Sequence, residues 1–238
     1  MAAGVLEVRD IEVSYGDFQV LWGVSMDVAA GELVCVLGPN GAGKSTVMNA
    51  VTGLIARHAG SIRFDGRDLA QVPTHEMVGL GIAHVLERHR LFPTLTVRQN
   101  LMLGAHHPNA RTRRAETLAS VETLFPILGQ RRDQLAGSMS GGEQQLVAIA
   151  RGLMSRPKLL MIDEPFLGLS PTAVDGILAV MKAINREGVA VLFTEQNVEL
   201  ALSVSHRGYV LESGRVALTG RSDEVLGHEM VRRVYLGI

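Results

Sequence analysis

The stretch "ELVCVLGPNGAGKST", residues 32–46, decides how the rest of the chain is read. Its first half, Leu33 to Leu37, is an unbroken apolar run of strand length. Such a run without alternation suits a strand buried on both faces. Its second half satisfies G-x-x-x-x-G-K-[ST] through Gly38, Gly43, Lys44 and Ser45, with Pro39, Asn40, Gly41 and Ala42 inside the loop and Thr46 just after it. The following "KSTVMNAVTGLI" carries a helical pattern. A glycine-rich turn before a helix would explain the glycines, but not the Lys-Ser pair at that offset. Strand, loop and helix in this order turn the backbone N–H groups from Asn40 to Ser45 and a helix N-terminus toward one anion. Lys44 then lies along the β- and γ-phosphates of a bound nucleotide, and the Ser45 hydroxyl ligates magnesium.

Working outward, "VLEVRDIEVSY" and "VLWGVSMDV" are β-rich, and "GSIRFDGRDL" reads as a hairpin or edge segment. Residues 94–156 hold the helical patterns "TVRQNLMLGAH", "RRAETLASVETLFPIL" and "GGEQQLVAIARGLMS". After them, "KLLMIDE", "TAVDGILAVMKAINREG", "VAVLFTE", "VELALSVS" and "RGYVLESGRV" alternate strand and helix, as a mostly parallel sheet requires. The expected fold class is α/β, with a mostly parallel core sheet, an N-terminal antiparallel β subdomain and an inserted helical lobe. One domain is expected over 1–238, its core and β subdomain covering about 1–93 and 157–238 and its lobe about 94–156.

Composition narrows the class. Hydrophobic residues make up 47% of the chain, yet no apolar run approaches the roughly 20 residues that span a bilayer. The opening "MAAGVLEVRD" has no basic start or apolar core of a secretory signal, so the cytoplasm is the expected compartment. A net charge of −1 provides no broad positive field for nucleic acid, and none is expected as a partner. The arginines of "NARTRRAE" and the pair Arg131 and Arg132 alternate with acids on helical patterns and read as a solvated face. Cys35, the sole cysteine, reads as a small buried side chain.

Two further motifs bear on chemistry. "LLMIDE" is an apolar strand ending in Asp163 and Glu164. Behind a phosphate loop, the first carboxylate holds magnesium, usually through water, and the second faces the γ-phosphate. Glu164 is the expected catalytic base, because an ionised carboxylate only accepts and so suits the hydrogens of an attacking water. "SMSGGEQQL" is another small-residue turn that opens a helix, so Ser140 with the Gly141 and Gly142 amides forms a second anion site.

With these in place the chain resembles the ATP-binding cassette (ABC) ATPases along nearly its whole length, from about Val5 to Leu236. The family signature is Leu-Ser-Gly-Gly-Gln or a close variant, where this chain has Met139, Ser140, Gly141, Gly142 and Glu143. The resemblance implies a head-to-tail cassette pair, in which each signature contacts the ATP held by the partner's phosphate loop. It makes Tyr15 the aromatic that stacks on adenine, where an aromatic in a strand would otherwise read as packing. It puts Glu87, in place of the common glutamine, among the metal ligands with Ser45 and Asp163. It assigns Leu91, Phe92 and Pro93 to permease coupling, although by composition Phe92 and Pro93 read as turn and core residues. It also aligns Gln196 of "TEQN" with the histidine that reaches the γ-phosphate. Glutamine can donate a hydrogen bond there but cannot titrate, so Gln196 is expected to position rather than to act as base.

"SGGEQQ", Glu87, "LGLSP", "EQN" and "RGYVLESGRV" are similar to one branch, the smaller ATPase subunit of branched-chain or hydrophobic amino acid importers. This implies an ATP-hydrolysing motor that takes ATP and Mg²⁺, with Glu164, Gln196 and Lys44 as its catalytic residues. It works as a homodimer or with a larger paralogous ATPase, alongside two transmembrane permease subunits and, indirectly, an external solute-binding protein. Its place is the cytoplasmic face of the inner membrane. Importers of urea or short amides use similar subunits. A soluble non-transport cassette ATPase is disfavoured because the chain has no tandem cassette, coiled-coil insertion or basic extension, and a regulatory module because Lys44, Asp163 and Glu164 are intact. Leu86, Arg88 and His89 depart from the branch's usual Pro, Gly and Arg, and bear on the coupling surface.

Overall fold

The computed structural model describes residues 4–87 and 90–236, so Arg88 and His89 of the coupling segment lie outside the described residues. In chain order the elements are β1 (Gly4–Tyr15), β2 (Phe18–Ala29), β3 (Leu33–Leu37), α1 (Lys44–Val51), β4 (Ala59–Phe64), β5 (Arg67–Asp68), α2 (Met77–Leu80) and β6 (Ile82–Val85). There follow α3 (Val97–Gly104), α4 (Pro108–Arg111), α5 (Arg114–Leu124), α6 (Pro126–Gln130), α7 (Gly141–Leu153), β7 (Leu159–Ile162) and α8 (Pro171–Arg186). The last are β8 (Ala190–Glu195), α9 (Val198–Leu202), β9 (Arg207–Glu212), β10 (Arg215–Arg221), α10 (Ser222–Gly227) and α11 (Glu229–Val231). The chain folds as two compact units: Met1–Thr74 with Ala190–Ile238, and His75–Val189.

In the first unit, β1 runs antiparallel to both β2 and β4, and the alternation of "VLEVRDIEV" sends Leu6, Val8, Ile11 and Val13 into the core. β3 is parallel to β8 and β9, and β9 is antiparallel to β10. All five residues of β3 are buried, which explains why its sequence shows no alternation. Burying its four aliphatic side chains contributes roughly 6 to 12 kcal/mol as an upper estimate. An ionic knot ties β9 to the end of β2 and the turn that follows it. Arg207 donates to Glu32 and to Asp27, whose backbone carbonyl and carboxylate both accept, and the Tyr209 hydroxyl also donates to Asp27. Those carboxylates, Glu32 foremost, hold the Arg207 pKa above its ordinary value.

In the second unit, β6 and β7 are parallel, with Val85 opposite Ile162. The sequence reading does not single out β6 as a strand, because "IAHV" is short and His84 interrupts its apolar run. Helix α7 packs closely on this pair at Gly152, where a Cβ would stand 3.1 Å from Leu160 and 3.2 Å from Val85. Helix α3 meets α7 at Gly104, where a Cβ would stand 2.0 Å from the Arg151 carbonyl oxygen. The helical pattern of residues 113–128 divides between α5 and α6, because Pro126 cannot donate within a continuing helix and instead opens the next one. Helix α1 stops at Val51, earlier than its pattern suggests, and the Thr52 hydroxyl donates back to the Met48 carbonyl.

Candidate functional site

In the first unit the phosphate loop leaves the carboxyl end of β3, and the parallel register fixes its neighbours. Leu37 lies opposite Glu195 of β8 and Val210 of β9, so Gly38 and Gln196 follow adjacent strands out of one sheet edge. That edge is where α/β sheets hold ligands. Gly38 has φ +153°, and a Cβ there would stand 2.3 Å from the Leu211 carbonyl oxygen. Pro39, Asn40 and Gly41 are exposed, while Ala42 and Gly43 turn inward. Gly43 caps α1 without a side-chain acceptor, and the first turn of α1 contains no acid. A helix start with no acid of its own suits an anion supplied from outside the helix. Lys44 is buried, and its ammonium donates to the Gly38 carbonyl at 2.9 Å and the Pro39 carbonyl at 3.3 Å, which holds its charge over the loop. Ser45 is half-buried and Thr46 buried in the same turn.

Of the polar cluster "TEQN", Thr194 and Glu195 turn inward and are buried. The Glu195 carboxylate accepts from the N–H groups of Gln196 at 2.8 Å and Asn197 at 3.3 Å. The Asn197 side chain caps α9 through Leu200 N–H at 3.0 Å. Gln196 therefore sits half-buried on a loop fastened from both sides. The part played by Glu195 escaped sequence reading, because alternation alone does not tell a strand's last side chain from the first of its loop. Tyr15 is half-exposed at the end of β1 and pairs across the β1–β2 turn with Phe18, which is 73% exposed and was not singled out from sequence.

In the second unit the β6–β7 register brings the acidic residues together. Val85 lies opposite Ile162, and Asp163 N–H donates to the Val85 carbonyl at 2.9 Å, so Glu87 and the Asp163–Glu164 pair leave the same edge. Asp163 is buried, whereas Glu87 and Glu164 are half-buried. Glu164 has φ +45°, a left-handed conformation that costs a side-chain-bearing residue about 1 to 2 kcal/mol. The carboxylates at this edge offer only oxygen donors, the chemistry that a hard cation such as magnesium takes.

The signature turn opens α7. Ser140 Oγ accepts from Glu143 N–H, and the Glu143 carboxylate accepts from Ser140 N–H and from Ser140 Oγ, both at 2.9 Å. Gly141 faces Leu169, and a Cβ on Gly142 would stand 2.6 Å from Ala173 Cβ, so the turn packs against the start of α8. Phe92 and Pro93 are exposed and Leu91 half-buried, in a loop stitched to the short 3-10 turn, Ala136–Ser138, that leads into the signature. Gly137 N–H donates to the Pro93 carbonyl and Ala136 N–H to the Leu95 carbonyl, each at 3.0 Å. Asn100, fully buried, clamps the loop: its amide oxygen accepts from Phe92 N–H at 3.0 Å and its NH₂ donates to the carbonyls of Phe92 and Thr96 at 3.0 Å. Sequence reading missed Asn100, although an amide on the buried face of a helical pattern is the signal that could have found it. Further along α7, Arg151 donates to the Arg90 carbonyl at 2.9 Å.

A strand-loop-helix of the phosphate-loop pattern in one unit, and in the other an acidic strand edge with a Ser-Gly-Gly turn opening a helix, define a phosphate-loop ATPase with an inserted helical arm. The chain belongs to the ABC transporter family, whose pattern matches residues 21–167, and is the ATPase subunit of a transporter. It is 41% identical over 233 residues to the high-affinity branched-chain amino acid transport ATP-binding protein BraG of Pseudomonas aeruginosa, covering 98% of this chain and 100% of that protein. It is 36% identical over 238 residues to the lipopolysaccharide export system ATP-binding protein LptB of Haemophilus influenzae, covering 98% and 97%. The ADP conformation of MJ1267, an ATP-binding cassette of an ABC transporter, superposes with a TM-score of 0.88 at 27% identity and full coverage of both chains. Among the described residues no helix is long and apolar enough to cross a membrane.

Proposed function

We propose that this chain is the motor subunit of an importer for branched-chain or hydrophobic amino acids, docked on the cytoplasmic face of the membrane through two permease subunits. The observation that carries the motor reading is the pair of phosphate-binding helix starts in one chain, at Gly43–Lys44 and Ser140–Gly141. Two such cassettes placed head to tail, as a homodimer or with a larger paralogue, enclose ATP between the loop of one and the signature of the other. Tyr15 stacks on adenine, and residues 38–46 hold the phosphates, with Lys44 on the β- and γ-oxygens. Ser45, Asp163 and Glu87 would hold Mg²⁺, which when bound would offset phosphate charge. Glu164 orients and deprotonates the attacking water. Gln196 donates to the γ-phosphate, a charge-assisted contact worth roughly 1.5 to 3 kcal/mol. The left-handed backbone at Glu164 supports its assignment, since such strain is kept where the surrounding structure fixes a functional side chain.

The bonds joining Pro93 to Gly137 and Leu95 to Ala136 support the next step. A displacement of the signature on closure carries the Phe92–Pro93 loop with it, and so reaches a permease helix seated there. Import of hydrophobic amino acids rests on the "SGGEQQ", Glu87 and "LGLSP" pattern together with the likeness to BraG over 98% of this chain and the whole of that protein. Lipopolysaccharide export is a second reading, favoured by the likeness to LptB. Turnover is tested with Glu164→Gln, in which ATP binding is retained and phosphate release disappears; unchanged release refutes the catalytic assignment. Cargo is tested in proteoliposomes holding the chain with the permease pair encoded beside its gene. ATP-driven uptake of labelled leucine supports import, whereas ATP-driven extraction of lipopolysaccharide without leucine uptake overturns it.

A further inference from the structure

We propose that Arg131 is a positioning residue of the signature turn, neutralising the Glu143 carboxylate so that the Ser140 hydroxyl can donate its hydrogen bond to a phosphate of the partner cassette's ATP. The inference rests on the reading of Ser140 as that trans contact. One oxygen of Glu143 accepts from both the N–H and the hydroxyl of Ser140 at 2.9 Å. Its other oxygen is 3.1 Å from the Arg131 guanidinium. The Ser140 hydroxyl proton is thus directed at a carboxylate within its own turn. A phosphate oxygen is also only an acceptor, so to bind it the proton must turn away from Glu143. The carboxylate then loses a donor while a polyphosphate approaches, and the two negative charges oppose each other. An amide at position 143 would carry no such charge. The carboxylate here requires a cation, and Arg131 provides it.

Arg131 is suited to this by its place in the chain as well as by its charge. It is the C-cap of α6, with its N–H bonded to the Ile127 carbonyl at 3.0 Å and its own carbonyl accepting from Gln134 N–H at 2.9 Å. A helix C-terminus favours a cation, and the turn holds the guanidinium's root in place. The side chain of Glu143 is 20% exposed and that of Arg131 41% exposed, so the pair is accessible enough to respond to a ligand yet shielded enough for its charge to be felt. The adjacent Arg132 pairs instead with Asp133, at 3.5 Å.

The test uses the full-length chain with steady-state phosphate release and ATP titration. Arg131→Ala is expected to raise KM for ATP by roughly five- to tenfold, with a smaller change in kcat. Arg131→Lys should recover most of the loss. In a Glu143→Gln background, where the amide keeps the capping acceptor but not the charge, Arg131→Ala should change KM by less than about twofold. A purely structural role would lower the melting temperature in both backgrounds and leave KM unmoved, which overturns the proposal. An equal KM increase in both backgrounds also overturns it, since Arg131 would then act without Glu143. Ser140→Ala separates the two levels. If it leaves KM unchanged, the trans-contact reading fails; if it raises KM while Arg131→Ala does not, only the role of Arg131 fails.

Discussion

Replacing Gly38 by alanine tests whether this glycine serves the packing of the sheet edge as well as the approach of a phosphate. Its φ of +153° is outside the usual range of a residue with a side chain, and the new Cβ would stand 2.3 Å from the Leu211 carbonyl oxygen and 3.1 Å from Ala42 Cβ. The carbonyl cannot yield cheaply, because Leu211 is buried and pairs with Val216 while its neighbour Val210 pairs with Leu37. Backbone strain of about 1 kcal/mol and overpacking of about 2 kcal/mol sum to about 3 kcal/mol. For a chain of this length that corresponds to a loss of about 6 to 12 °C in melting temperature. Gly41→Ala is the internal control: φ is +81° but nothing lies within 4 Å, so only strain of about 1 kcal/mol applies, a loss of about 2 to 4 °C. Circular-dichroism melts with fluorescent ATP-analogue titrations read both effects. The reasoning is refuted if Gly38→Ala melts within about 2 °C of wild type, or if Gly41→Ala is the less stable of the two.

Gln196→Ala should lower turnover roughly tenfold while changing ATP affinity little, by loss of one charge-assisted bond; wild-type phosphate release would leave Gln196 a bystander at the sheet edge. Phe92→Asp should abolish co-purification with the permease pair and spare nucleotide binding, and a loss of ATP binding as well would point to a folding role for that loop. His84 supplies a pH signature. Burial lowers its pKa from 6.5 to about 4, so between these values the unfolded chain holds a proton that the folded chain refuses. Stability from this group is complete above pH 6.5 and declines as pH falls toward 4. The decline is about 2 kcal/mol, less than the full shift implies because the residue keeps some exposure. Urea midpoints of wild type and His84→Gln at pH 7 and pH 5 isolate the effect, and parallel changes in the two proteins would exclude His84 as its source.

Local grammar made much of this molecule readable in advance. Gly38 to Thr46 follow one another without a gap, so an ordinary strand-to-helix turn explains their placement, and the β-rich runs before them fall in β1 and β2. Features that depend on register were not readable. Nothing local tells that Leu37 lies opposite Glu195, or that Val85 lies opposite Ile162 and so draws Glu87 to the acidic pair. The clamp of Asn100 on Phe92 joins residues eight positions apart across a capped helix start, and depends on the path of the loop rather than on helical periodicity. Arg131 read as part of a solvated charged face, because a pair twelve positions apart across two elements follows neither the i,i+3 nor the i,i+4 rule.

Strand β3 has a practical consequence at Cys35. The thiol is fully buried in β3, 3.2 Å from the Ser205 hydroxyl, and burial pushes its pKa up to about 12. Its thiolate population at neutral pH is negligible, so maleimides and disulfide reagents meet no nucleophile on the native protein. As the chain has one cysteine, every cysteine introduced at the surface becomes a unique chemical handle without any deletion of the natural one. A spin label or fluorophore placed at Thr94 or Ser138 would then report on each side of the loop-to-signature stitch separately.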